Sequence, residues 1–334
     1  MGAEPLTVGS LCTGYGGLDL ALKAHFPTRV IWTSEIDKHA SRVVKARYRT
    51  PNLGDLKLID WEAIPAPDII TAGYPCQPFS YAGGRNGTED PRHIWPWIAE
   101  GIRHLRPRLA VMENVPGHLT KGFGEVIGTL AEMGYDATWG CVRASDAGAC
   151  HRRERVFIVA TDTDRQRHGR RQDGGVVGRL GRREEGAARQ RQRARQVAVG
   201  GGTSADGAVK LLPTPVVGDA RNSRQSTAPN PRCDYDTLSD VVRKQSWGEY
   251  QPAITRWEAV MGRVTPHPTT DGRLNPGFVE WMMGLRLGHV TAIDLSRTQM
   301  LKILGNGVVW QQAALALTHL LPIALTPPRS RPAP

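Results

Sequence analysis

Short apolar runs alternate with amphipathic stretches from residue 6 to residue 160, and no other feature constrains the fold as much. The runs at 6–11, 30–34, 69–72, 110–113 and 156–160 have the length and apolar content of buried strands. Between them, 17–25, 38–47, 94–105 and 124–133 carry apolar residues at helical spacing. Strands alternating with helices predict an α/β fold: a Rossmann-like, mostly parallel sheet with helices on both faces. Ligands of such sheets sit at the carboxyl ends of the strands.

The remainder differs in texture. Residues 161–210 hold eleven arginines, six acids and no aromatic residue. A run such as RQRQRARQ buries too little apolar surface to order itself. It reads as a solvated, flexible insertion or as a basic arm that follows phosphates. Residues 211–272 regain Leu, Val, Trp and Tyr among many Pro and Asn, and predict a small irregular domain. Helices are expected at 278–285 and 308–321, and a disordered tail after Leu325.

The 43 Lys and Arg exceed the 32 Asp and Glu by 11, which favours a polyanionic partner. No apolar stretch approaches the ~20 residues of a membrane span, so no membrane role is expected. The amino terminus lacks the basic and apolar regions of a signal peptide. Five cysteines with no C-x-x-C pair argue against a disulfide framework and against a zinc site. A soluble, cytoplasmic, monomeric protein without metal is expected.

Several motifs fall at strand ends. Gly14, Gly16 and Gly17 follow the first strand and open a helix, which lets a backbone approach a cofactor; a plain tight turn explains them equally well. Glu35 ends the second strand, where an acid can hold ribose hydroxyls or stand as a surface carboxylate. Asp55 can accept from an adenine amino group or cap a turn. There is no G-x-x-x-x-G-K-[ST], and the third glycine of a dinucleotide fingerprint is missing. In Gly73-Tyr74-Pro75-Cys76-Gln77-Pro78-Phe79-Ser80 two prolines bracket a cysteine just past the strand 69–72. A thiol held there is poorly placed for core packing and well placed for attack. Glu113 and Asn114 end another strand, and Glu113 is a candidate acid or hydrogen-bonding group. Arg153 and Arg155 enter the strand 156–160 two residues apart, so both would point to one side.

This ordered set resembles the DNA (cytosine-5) methyltransferase family. Residues 10–22, Glu35 and Asp55 are similar to its cofactor motifs, Pro75-Cys76-Gln77 to its nucleophile motif and Glu113-Asn114-Val115 to the partner motif. Residues 151–155 resemble its Gln-x-Arg-x-Arg motif; 273–285 and Gly305-Asn306-Gly307-Val308 resemble the last two. The resemblance covers 6–160 and 273–317, and the PTPVVGDA segment looks like phage-borne or actinobacterial members. Four positions depart: Cys12 stands for the usual Phe, His151 for Gln, Arg286 for Pro and Trp310 for Pro.

The resemblance implies methyl transfer from S-adenosyl-L-methionine to carbon 5 of cytosine in double-stranded DNA, at a short specific sequence, on a flipped-out base. Cys76 would be the nucleophile, Glu113 would stabilise the charge that builds on the ring, Arg155 would anchor the base, and Arg153 and Asn114 would hold the loops. The cofactor residues would be Cys12, Gly14, Tyr15, Gly16, Gly17, Glu35, Ile36, Asp55, Leu56, Pro75 and Asn306. DNA contacts would come from Ser80, Arg85 and Arg92, with Arg221, Asn222, Arg224 and Gln225 as base readers by residue type. Residues 1–160 and 286–334 would form the catalytic domain and 161–285 a smaller, irregular target-recognition domain holding the arginine-rich insertion 163–209. A separately encoded restriction endonuclease is an implied partner. The rival readings are a tRNA cytosine-5 methyltransferase, a nicotinamide oxidoreductase on a similar sheet and a non-catalytic DNA-binding relative.

If the arginine-rich stretch only meets phosphates, deleting 165–205 weakens DNA binding and lowers its salt slope by about one unit for each phosphate no longer neutralised. Mapping of conversion-resistant cytosines should then return an unchanged target, because phosphate contacts position and base contacts specify.

Overall fold

The structure, a computed structural model, describes residues 4–75, 94–163, 209–220, 237–243 and 247–325, and the backbone of 195–196. Six strands form the body of one sheet: β1 (Leu6–Leu11), β2 (Thr28–Ser34), β3 (Ile69–Gly73), β4 (Leu109–Asn114), β5 (Tyr135–Arg143) and β6 (Glu154–Asp162). Their order is β2-β1-β3-β4-β6-β5, and the two-residue β7 (Arg195–Gln196) lies beside β5. Strands β1 to β4 pair in parallel, and β6 runs antiparallel to both its neighbours. The reversal has a functional consequence. Because Asn114 pairs with Val156 and Glu113 with Phe157, the start of β6 lies at the edge where β1 to β4 end.

The central strands are apolar on both faces, as a sheet covered on both sides requires. Every residue of β4 is buried. Successive residues enter different cores, because side chains alternate across a strand. Ile70, Met112 and Ile158 pack under α3 (Trp95–Leu105) and α4 (Phe123–Glu132). Their neighbours Ile69, Val111 and Val159 pack under α1 (Gly17–Lys23) and the last helix, which supplies Leu317 and Leu320.

The remaining helices are α2 (Lys38–Tyr48), α5 (Leu238–Arg243), α6 (Gln251–Met261), α7 (Pro276–Met282), α8 (Arg297–Asn306) and α9 (Trp310–Ala324). Helices α5 to α8 build a third core around Trp257, Phe278, Trp281 and Leu304, which reaches Tyr15 and Val43 and includes residues on both sides of position 285. Among the described residues no helix is long and apolar enough to cross a membrane, and no His, Cys, Asp and Glu cluster could hold a metal ion.

The five expected strands are present, most of them longer than expected. Strand β5 is an addition. Its sequence YDATWGCVR alternates buried and half-exposed residues, and its Asp, Thr and Gly give it little apolar signal. Helices α5, α6 and α8 also lie outside the expected elements. The expected tail after Leu325 falls outside the described residues, as does nearly all of the 163–209 insertion.

Candidate active site

A cleft opens at the carboxyl end of β1, lined by residues 10–15, Gly73, Asn306, Gly307 and Val308 among others. The loop after β1 turns tightly, with Cys12, Gly14 and Gly16 all in the left-handed region at φ 50°, 59° and 85°. At Gly14 the conformation alone calls for glycine, since a Cβ there would meet nothing within 4 Å. At Gly307 space decides, because a Cβ would overlap the Tyr15 ring. Tyr15 is a buried strut: its hydroxyl donates to Val308 O at 2.7 Å and binds the loop to the 305–308 turn. His289 packs edge-on to that ring, and its Nε2 lies 2.9 Å from Tyr15 O.

Glu35 is bound to the Gly14 loop that lines the cleft. Its Oε2 accepts from Gly14 N at 2.7 Å and its Oε1 from Asp37 N at 2.8 Å. Burial raises its pKa, and these two N–H donors oppose the rise. Ile36 beside it is 70% exposed, an apolar surface that a flat ring could cover. Asp55 caps a short 3-10 helix, Oδ1 accepting from Lys57 N at 3.0 Å, while Leu56 is buried. Burial, then the carboxylates of Glu35 and Asp55, push the Cys12 thiol up to about 12, so Cys12 is a neutral thiol. Asn306 is exposed at the cleft, and Pro75 is the last described residue before Cys76.

The sheet edge beside this cleft holds the second group of residues. Gly73 pairs with Glu113, and a Cβ on Gly73 would lie 3.8 Å from Glu113 Oε2. Glu113 is 7% exposed and meets Arg155 Nε at 2.9 Å. Burial raises the Glu113 pKa, while Arg155 and Arg153 oppose the rise. Asn114 Oδ1 accepts from Val115 N at 2.8 Å, and its buried Nδ2 has no partner among the described residues.

Arg153 departs from the expected geometry. It precedes β6 with φ 30°, so it does not alternate with Arg155 on one strand. Its guanidinium is buried and donates to Pro215 O at 3.2 Å, Gly305 O at 3.2 Å and Gly307 O at 2.6 Å. It therefore ties the entry of β6 to the 305–308 turn. His151 is fully buried with Nε2 3.0 Å from Met282 O.

The structure thus brings together Gly14, Glu35, Gly73, Glu113, Asn114, Arg153, Arg155 and Asn306. Cys76, Ser80, Arg85, Arg92, Arg221, Asn222, Arg224 and Gln225 lie outside the described residues. Sequence reasoning missed Asp19, a buried cleft-lining acid that accepts from Ser10 Oγ at 2.8 Å and Thr71 Oγ1 at 2.7 Å. An acid in the first turn of a helix is ordinary, so nothing in the sequence marked it.

The fold and this edge define an α/β protein of the methyltransferase class. Solved structures with the same fold include the Dnmt2 methyltransferase of S. pombe, with TM-score 0.56 and 16% identity over 95% of this chain and 99% of that one. A putative DNA modification methyltransferase encoded within an E. coli prophage gives TM-score 0.53 and 18% identity, over 95% and 99% of the two chains. The model of the C-5 cytosine-specific DNA methylase family matches residues 6–199, and the chain belongs to that family. Among curated relatives, Type II methyltransferase M1.ScrFI of Lactococcus lactis subsp. cremoris is 36% identical over 157 residues, 46% of this chain and 40% of that protein. Type II methyltransferase M.NgoBI of Neisseria gonorrhoeae is 37% identical over 154 residues, 45% of this chain and 48% of that protein. The match thus spans less than half the length of either relative.

Burial lowers the His151 pKa from 6.5 to about 3, so the folded state holds it neutral. The unfolded chain binds that proton more readily, and stability should fall as pH drops below 6.5 towards 3. His151→Gln should remove this component. Its loss of unfolding free energy between pH 7 and pH 5, measured by urea titration, should be smaller than wild type by about 2 kcal/mol. An unchanged pH profile would show that His151 titrates normally.

Proposed function

We propose that the chain transfers a methyl group from S-adenosyl-L-methionine to carbon 5 of cytosine in double-stranded DNA, with Cys76 adding covalently to a flipped-out base. One observation carries the reading. The Glu113–Arg155 pair faces Gly73, three residues before Cys76, at the same sheet edge as the cleft of the Gly14 loop. The family's description favours DNA over tRNA as the substrate.

The cleft suits the cofactor. The open backbone at Gly14, the half-buried Glu35 carboxylate and the exposed Ile36 match a small backbone contact, a ribose diol and an adenine face. Glu35 keeps unused acceptor capacity, since each oxygen accepts only one described hydrogen bond. When bound, S-adenosylmethionine supplies an electrophilic methyl group on a sulfonium.

The chain's residues supply the remainder. Cytosine carbon 5 is a poor nucleophile, and addition of the Cys76 thiolate at carbon 6 makes the ring an enamine with electron density at carbon 5. Negative charge then builds towards ring nitrogen 3. Glu113, with its raised pKa, can share a proton there, and Arg155 holds its carboxyl in place. The unpaired Nδ2 of Asn114 is a donor available to the Cys76 turn. Arg153 fixes the 305–308 turn that walls the cleft. After methyl transfer the carbon-5 proton leaves and Cys76 is expelled. The face of carbon 6 is covered in stacked DNA, so the base must be flipped out at a cost of a few kcal/mol. Ser80, Arg85 and Arg92 would contact the duplex, and Arg221, Asn222, Arg224 and Gln225 would read base edges. A separately encoded restriction endonuclease would be the cellular partner.

Duplex DNA containing 5-fluorocytosine should trap a covalent complex with the wild-type protein in the presence of the cofactor and none with Cys76→Ser. A complex trapped by the variant would remove Cys76 as the nucleophile. Glu35→Ala should weaken S-adenosylmethionine binding by about 1–3 kcal/mol if ribose hydroxyls lose a buried acceptor. Calorimetry showing equal affinity would take Glu35 out of the site.

A further inference from the structure

We propose that Tyr74 and His118 are a positioning pair that aims the turn carrying Cys76 at the Glu113 segment. The inference rests on the Cys76 reading above. The β3–β4 pairing ends at Gly73 and Glu113. Beyond that rung the two strand exits are linked by a side-chain bond, with Tyr74 Oη 2.9 Å from His118 Nε2. The phenol donates when the imidazole carries its proton on Nδ1. Both side chains are buried, at 6% and 2% exposure.

The bond is set in an aromatic wall. The Tyr74 and His118 rings meet edge to face at 5.6 Å; Trp95 lies 6.0 Å from Tyr74 and Phe123 5.9 Å from His118. Packing of this kind fills space, but a hydrogen bond also fixes direction. Direction matters at Tyr74 because Pro75 follows it. A proline locks its own φ and restricts the residue before it, so the Tyr74 placement sets the direction in which the chain leaves Pro75. His118 sits in the short 3-10 helix Pro116–Thr120, directly after the Glu113-Asn114-Val115 segment, and its N–H donates to Val115 O at 3.0 Å. The bond therefore spans from the segment before the nucleophile to the segment after the acid.

The test uses the full-length chain in four forms beside wild type: Tyr74→Phe, His118→Phe, the double Phe variant and His118→Gln. Read out are melting temperature, cofactor and DNA affinity, kcat, and the rate of adduct formation on 5-fluorocytosine duplex. The single Phe variants leave a polar partner buried and should lose stability; the double variant restores an apolar pair and should regain it. Positioning predicts that kcat and adduct rate fall roughly ten- to a hundredfold in the double variant as in the singles, as expected for a displacement near 1 Å. Cofactor and DNA affinity should stay near wild type, and His118→Gln, which keeps a hydrogen-bonding side chain, should keep most of the rate. Wild-type rates in the stable double variant would overturn the proposal and leave the pair a packing device. A wild-type protein that methylates DNA yet traps no adduct would overturn the Cys76 reading itself, and the pair's role with it.

Discussion

One buried guanidinium ties together parts of the chain that are far apart in sequence. Arg153 donates to carbonyls of Pro215, Gly305 and Gly307, so the entry of β6 cannot move without the 305–308 turn. That turn in turn carries Val308 O, which receives the Tyr15 hydroxyl and fixes the loop at the end of β1. A buried charge without its acceptors would be costly, and here carbonyl oxygens rather than a carboxylate supply them. The wall of the cleft and the edge with Arg155 and Glu113 are thereby held as one unit.

Glu35, half-buried, and Glu113, buried, are held in different ways. Glu35 is held by backbone N–H groups of its own loop and of the Gly14 turn, which suits a fixed hydrogen-bond acceptor. Glu113 is held by a single close guanidinium, and burial works against its charge. A carboxyl balanced between desolvation and a cation is poised between its charged and protonated forms. Cys12 shows the same field from the other side, since burial and the two nearby carboxylates keep its thiol protonated. Among the chain's cysteines, a reactive thiolate is not to be sought there.

Much of the sheet was legible because its central strands contain uninterrupted apolar runs, as in LAVM and VFIVA. Strand β5 was not, since its buried residues are interrupted by the half-exposed Asp136, Trp139, Cys141 and Arg143 and it pairs antiparallel with β6. The site was legible where chemistry and position coincide: Glu35 and Glu113 end strands, and Gly14 to Gly17 begin a helix. Arg153 was read as a strand residue beside Arg155, whereas its positive φ swings it to the 305–308 turn. Asp19 and the Tyr74–His118 bond gave no signal, because each depends on neighbours 44 to 52 residues away.

The sequence by itself determined the α/β class, the order of its motifs and the family they resemble, because period, strand length and strand-end chemistry are local properties. The tertiary structure alone decided that β6 runs backwards, which brings Arg155 to Glu113 rather than to the opposite edge. It alone decided that Tyr15 is a strut and that Arg153 knits the 305–308 turn to β6. The last two outcomes depend on which buried polar group finds a partner across more than a hundred residues of chain, a choice that local sequence does not make.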